Sequence, residues 1–187
     1  MVDLAELVVA ASNGDRLAFD ELVRQTYVDT YTLALRLTSN EEDARDVVQE
    51  TYLRAWKAIP RFRGDAQFTT WLYRITANCA STHLDRRRRH RHEPLGPMHE
   101  AIEMRPEAQP EQMAESSAEL ALIGRALEEL PEKIRSVVVL KDVYGLSHEA
   151  IAEELSISVA AAKVRLHRGR KRLQEAINED PRSAHAI

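Results

Sequence analysis

Apolar side chains recur every three to four positions along most of the chain, and no segment sustains the strict alternation of a half-buried strand. The period predicts an all-α protein. Asn13-Gly14-Asp15 reads as a turn and cap, after which Phe19, Leu22, Val23, Tyr27, Leu33, Ala34 and Leu37 make the inward stripe of a first long helix. Asn40 restarts the chain, and Glu41, Glu42 and Asp43 suit the positive end of a helix dipole. Ala44, Val47, Val48, Thr51, Ala55 and Trp56 then line a second helix, which Pro60 ends. A loop through Arg63-Gly64-Asp65 leads to a third helix from about Thr69, with Leu72, Ile75 and Cys79 inward.

The period vanishes where Pro94, Pro97, Pro106 and Pro110 fall close together, so this segment predicts a flexible linker. It divides the chain into two small helical domains, 1–92 and 116–187, joined through 93–115. In the second, Leu120, Ile123, Leu127 and Leu130 mark a helix stopped at Pro131, and Ile134, Val137, Val138 and Tyr144 mark another closed by Gly145. Ser147 can cap a short helix with Ile151, Ala152 and Leu155 inward. Ser156-Ile157-Ser158 is a tight connection, and a last helix runs from Val159 to about Asn178. A short helix with Ile-Ala at its centre, a three-residue turn with one apolar residue and a base-rich second helix form the pattern of a helix-turn-helix. Leu166 and Leu173 anchor that last helix, leaving Lys163, Val164, His167, Arg168 and Lys171 on the free face and Arg165 at its edge.

Charge sharpens this picture. The formal net charge of −4 argues against a globally basic nucleic-acid binder. Its distribution is uneven, however. Every residue from Arg86 to His92 is Arg or His, and Lys163, Arg165, Arg168, Arg170, Lys171 and Arg172 crowd the last helix with no acid among them. The linker reverses the sign with Glu93, Glu100, Glu103, Glu107, Glu111 and Glu115. A solvated basic face would explain the last helix without function, but six bases without an acid favour DNA. The N-terminal stretch has no basic leader and its apolar run is too short to cross a bilayer, so we expect no export signal and no membrane insertion. A single cysteine, Cys79, fits a reducing compartment, and the expected location is cytoplasmic.

Six of the ten aromatics lie between Tyr52 and Tyr73, immediately before the basic run. Phe62, Phe68, Trp71 and Tyr73 admit two readings. They close a small helical core, or they offer π-faces to bases unstacked from a duplex, with Arg63, Arg74 and Arg86 to Arg89 holding the strand. The adjacent basic run favours the second. A DNA-processing enzyme would need a nucleophile with a base or metal cluster, and none is found. Cys79 and His83, four apart on a helix, are a chance pair without a second pair at ligand spacing. We expect no catalytic residue, no cofactor and no metal.

The stretches DVVQETYLRAWKAIPRFRGDAQFTTWLYRITANCASTHLDRRRR and LPEKIRSVVVLKDVYGLSHEAIAEELSISVAAAKVRLHRGRKRLQ together resemble the extracytoplasmic-function branch of the sigma-70 family, bacterial transcription initiation factors. The resemblance implies that 1–92 is a region 2 domain that binds core RNA polymerase and recognises and melts the minus-ten element. It implies that 116–187 is a region 4 domain that recognises the minus-thirty-five element. Asp46, Gln49, Glu50, Leu53 and Arg54 would face the beta-prime clamp, with the beta flap as a further contact. Phe62 and Asn78 would line a pocket for a flipped minus-ten base, Asp65 would set base preference, and Trp71 with Arg63, Arg74, Arg86 and Arg87 would hold the strand. Ser158, Ala161, Lys163, Val164, Arg165, His167, Arg168 and Lys171 would meet the minus-thirty-five duplex. An anti-sigma factor is implied as a further partner. Many relatives carry Gly where Ser156 stands. As flexible coil the linker spans about 25 to 30 Å, from roughly 5 to 6 Å times the square root of its length. The two promoter elements of the family lie more than about 50 Å apart, so the free protein is expected to bind a complete promoter poorly, with linker glutamates competing for its bases.

Overall fold

The computed structural model describes residues 3–64, 66–91 and 114–179 of the 187. Among these the chain runs as α1 (Leu4–Ser12), α2 (Arg16–Thr38), α3 (Glu41–Ala58), a 3-10 turn (Ile59–Arg61), α4 (Phe68–Arg91), α5 (Ala114–Glu129), α6 (Glu132–Val138), a π turn (Val139–Val143), α7 (His148–Glu154) and α8 (Val159–Glu179). No strand occurs among the described residues. Side-chain caps set several of the starts. The Asp15 carboxylate accepts from Leu17 N and Ala18 N, the Asn40 side chain from Asp43 N, and the Ser147 hydroxyl from Ala150 N.

The periodic stripes are found buried with informative exceptions. Helix α1, not expected as a helix, buries Leu7, Val8 and Ala11 against α2. Tyr27, expected inward, is 44% exposed and stacks on Tyr31 instead, with ring centroids 6.2 Å apart. The interior positions of α2 at that level belong to Thr26 and Thr30. Their hydroxyls donate to Leu22 O and Thr26 O one turn back, and the Tyr52 hydroxyl lies 2.9 Å and 3.1 Å from them. A threonine satisfied by its own helix packs as a small apolar residue, so an apolar stripe that omits threonine drifts off the buried face. Helix α3 ends at Ala58, just ahead of Pro60 as expected, and Pro60 itself sits in the 3-10 turn that follows. The helix expected to run to Tyr144 gives way after Val138 to the π turn, closed by Leu146 N to Leu140 O at 3.0 Å.

The chain packs around two cores. One holds Leu7, Ala11, Phe19, Leu22, Ile59, Phe68 and Leu72, where α1, α2 and α3 meet the start of α4. The other begins with Leu33, Leu37, Val47 and Ala77 and continues without a break into Leu130, Val137, Val139, Ile151 and Leu166 of α5 to α8. The two helical units therefore share a core. Helix α7 lies on α4, and α6 with the π turn lies on α2. The Tyr73 and Tyr144 rings meet edge to face at 4.6 Å across the boundary. Most of the linker lies outside the described residues, as do its expected glutamate contacts.

Candidate polymerase and nucleic-acid interface

Helix α3 buries Ala44, Val47, Val48, Thr51 and Ala55, which turns Asp46, Gln49, Glu50 and Leu53 outward. Arg54 lies at the edge of that face, donating to Glu50 at 2.6 Å and to Asn78 of α4 at 3.1 Å. The hydrogen bond to Glu50 raises the Arg54 pKa, so the guanidinium stays charged. Together these five residues line one side of a groove of about 290 Å³, and Thr82, His83 and Arg86 of α4 line the other. Leu53 is 51% exposed, an apolar point within a polar rim. Cys79 forms part of the groove floor. It is buried, and that burial pushes its thiol pKa up despite a hydrogen bond with Thr51, so it stands as a neutral packing residue. His83 is engaged by Asp43 at 2.9 Å, and Arg87 also bonds that carboxylate. Among the described residues no group of three or more His, Cys, Asp or Glu side chains is placed to hold a metal.

The aromatic loop serves packing and display together. Phe68 is buried, while Phe62 and Trp71 are half-buried on top of it. Their centroids are 5.1 Å apart, and each lies within 6.0 Å of the Phe68 ring. Phe68 closes the core, as the packing reading expects, and holds up two rings that keep exposed area. Phe62 is thus joined to Trp71, whereas the polar contact of Asn78 is to Arg54. Asp65 lies outside the described residues. Arg63 and Arg86 are exposed.

Arg74 has a different environment. Its Nη2 donates to Glu153 at 2.5 Å and its Nε to Glu154 at 2.7 Å, both on α7 of the other unit. The Glu154 hydrogen bond raises the Arg74 pKa, and burial raises that of Glu154, with Arg74 pulling it back. Arg88 pairs with Asp85 at 2.6 Å and lies 3.6 Å from Glu132 of α6. The buried Arg135 donates to Glu128 O at 3.1 Å and Leu37 O at 3.3 Å, so one cation joins the carbonyl ends of α5 and α2. Burial lowers its pKa. None of these contacts between units was read from the sequence. The available signal was the adjacent acids Glu153-Glu154 on an otherwise ordinary helix and an arginine within the apolar run of α6.

On α8, Lys163, Val164, His167, Arg168 and Lys171 are exposed together, and Arg165 is half-buried at the edge. Ser158 accepts from Ala161 N at 3.1 Å and so caps the helix. Arg170 is drawn away from this face, its guanidinium forking onto Asp142 of the π turn at 3.0 Å and 2.5 Å. Ser156 takes the left-handed conformation at φ +51, a backbone that favours glycine.

Two family models match the chain, sigma-70 region 2 over residues 22–90 and sigma-70 region 4 over residues 120–173. The chain is 36% identical over 167 residues to the ECF RNA polymerase sigma factor SigE of Mycolicibacterium smegmatis, covering 88% of this chain and 64% of that relative. It is 31% identical over 178 residues to the RNA polymerase sigma-H factor of Pseudomonas aeruginosa, covering 92% of each. Among solved structures it is similar to the co-crystal structure of the sigma factor RpoE in complex with the anti-sigma factor NepR from Bartonella quintana. That match has a TM-score of 0.66 and 25% identity, covering 87% of this chain and 98% of that one.

Proposed function

Starting from the fact that this chain belongs to the extracytoplasmic-function branch of the sigma-70 family and is thereby a transcription initiation factor, we propose how its surfaces divide that work. Region 2, taken as 1–92, docks on core RNA polymerase through the outward face of α3. Asp46, Gln49, Glu50 and Arg54 supply polar contacts to the beta-prime clamp, and Leu53 is the apolar anchor at their centre. The grouping of all five on one groove carries this reading, because the inner face of α3 is consumed by packing while Asp46, Gln49, Glu50 and Leu53 stay exposed.

Phe62 and Trp71 offer the flipped minus-ten bases π-faces backed by the rigid Phe68. Arg63, Arg74, Arg86 and Arg87 neutralise the strand, and Asn78 and Asp65 tune which base is accepted. Region 4, taken as 116–187, sets α8 in the major groove of the minus-thirty-five element. Lys163, Arg165, His167, Arg168 and Lys171 meet bases and phosphates there, with Val164 and Ala161 as apolar contacts and Ser158 at the helix start. The beta flap holds this domain in place. The protein itself catalyses nothing, since nucleotidyl transfer belongs to the polymerase. It acts in the cytoplasm, and likeness to a sigma factor crystallised with its anti-sigma factor supports a protein inhibitor here too.

Run-off transcription with purified core polymerase on a promoter library tests this reading. The wild-type protein should direct initiation from a discrete set of sequences, and only in the presence of core. Asp46→Arg with Gln49→Arg should abolish core binding while circular dichroism stays unchanged. Undiminished core binding by that folded variant would overturn the assignment of α3.

A further inference from the structure

We propose that the cleft where α4, α6, α8 and the connection between α7 and α8 meet binds a small organic phosphate, a monoester whose dianionic head carries an apolar group. The cleft is a cavity of about 270 Å³. It lies apart from the surfaces assigned to polymerase and promoter except for Arg165, at the edge of the α8 reading face. Its apolar wall is Leu84 of α4 with Leu155 and Ile157 of the connection. Leu84 is buried, and the other two are half-buried against the shared core, so this wall is fixed in place.

Three cations line the same cavity, and they are unequally committed. Arg88 of α4 donates to Asp85 at 2.6 Å and lies 3.6 Å from Glu132, and these are the two acids of the lining. Both acids thus stand beside one guanidinium. Lys133 of α6 and Arg165 of α8 have no hydrogen-bond or ion-pair partner among the described residues. Even Arg88 keeps a buried Nε donor without an acceptor, because Glu132 stands beyond hydrogen-bond reach. The hydroxyls divide in the same way. Ser136 is committed to Glu132 O at 2.8 Å, whereas the side chains of Ser81 and Ser156 have no partner among the described residues.

Unpaired donors, two unmatched cations and an apolar wall in one concavity call for a ligand with acceptor oxygens, negative charge and an apolar body. A phosphomonoester supplies all three, since it carries about −1.5 to −2 charge near neutral pH and three acceptor oxygens. That charge matches Lys133 together with Arg165. The phosphodiester of a DNA backbone, the other source of phosphate for this protein, brings one charge and leaves one cation unmatched. Lys133 belongs to neither promoter surface, so the cleft can be probed apart from DNA binding.

The test titrates the full-length protein by calorimetry at fixed ionic strength with phenyl phosphate, inorganic phosphate and dimethyl phosphate. Wild type should take one equivalent of phenyl phosphate, about three- to tenfold more tightly than inorganic phosphate because the ring covers the apolar wall. Dimethyl phosphate, a diester like the DNA backbone, should bind more weakly than either. Lys133→Gln, a change at an exposed position that leaves the fold intact by circular dichroism, should weaken phenyl phosphate about three- to tenfold. Lys133→Gln/Arg165→Gln should weaken it further. A control, Lys57→Gln/Arg61→Gln, removes equal charge from exposed positions of the first unit and should bind as wild type does. An equal loss in the control would reduce the effect to net charge and overturn the proposal. So would the absence of saturable binding through millimolar phenyl phosphate, or unchanged affinity in a folded Lys133→Gln/Arg165→Gln. Dimethyl phosphate binding as tightly as phenyl phosphate would give the cleft to a nucleic-acid diester, and phenyl phosphate no tighter than inorganic phosphate would remove the organic ligand; either result overturns the assignment.

Discussion

Arg168 and Arg170 stand two positions apart on α8, and the sequence offers no ground for separating them except distance along the helix. The structure does. Arg168 is free on the outward face, whereas the fork of Arg170 onto Asp142 ties α8 to the π turn. A cation paired within the fold contributes little to counterion release on DNA, and a free one contributes fully. Arg168→Ala should therefore weaken binding to the minus-thirty-five duplex. If its contact is to a phosphate, the salt slope should fall by about 0.9; if it is to a base edge, the preferred base should change. Arg170→Ala should leave the slope as it is and lower thermal stability instead. Gel-shift titrations over a salt series with a melting curve for each variant decide this, and a reduced slope for Arg170→Ala would reverse the assignment.

Helix packing in the second unit depends on small residues where α6 and α8 cross. A Cβ placed on Gly169 would lie 2.3 Å from Val138 Cγ2 and 2.9 Å from Ile134 Cγ2, so the glycine is required by proximity rather than by backbone conformation. Alanine is favoured over glycine by about 1 kcal/mol in an exposed helix interior. Here that gain is outweighed, because Val138 is buried and cannot swing clear, and overpacking costs about 1 to 3 kcal/mol. Gly169→Ala should thus lower stability in urea denaturation, and a stabilised variant would show that the crossing is looser than described. Ser156 is the opposite case. It holds a left-handed φ of +51 between α7 and α8 without the freedom of glycine, so Ser156→Gly should raise stability by up to about 1 kcal/mol. Measured in the same denaturation series, a destabilised Ser156→Gly would mean that its hydroxyl contributes more than the backbone loses.

At the scale of the whole molecule, a core shared by two units should couple their unfolding. Both tryptophans, Trp56 and Trp71, belong to the first unit, so their fluorescence reports on that unit while far-UV circular dichroism reports on the helices of both. In the wild type the two signals should change at the same denaturant concentration. Arg135→Ala removes charge-assisted bonds to two helix-terminal carbonyls, worth about 1.5 to 3 kcal/mol each where fully desolvated, and it loosens the boundary. In that variant the two midpoints should separate. Separate midpoints in the wild type would mean that the units fold independently and that the continuous core adds little.

Much of this architecture is legible in order along the chain, since helix-forming periodicity, caps and charge blocks are local. Asn40 and Ser147 cap helices as their positions predict, the basic face of α8 points outward because Leu166 and Ala162 point in, and the polar face of α3 follows from its buried stripe. The misread positions are those where a side chain's own chemistry altered its class. Thr26 and Thr30 become interior residues by bonding one turn back, and Tyr27 is displaced to the surface. The placement of α7 on α4 is of another kind. The Arg74 contacts with Glu153 and Glu154 join residues 79 and 80 positions apart, and Arg135 reaches Leu37 over 98. Periodicity says which face of a helix seeks burial but not which other face will cover it. That choice depends on the shapes and charges of surfaces built from distant segments, which exist only once the helices have packed.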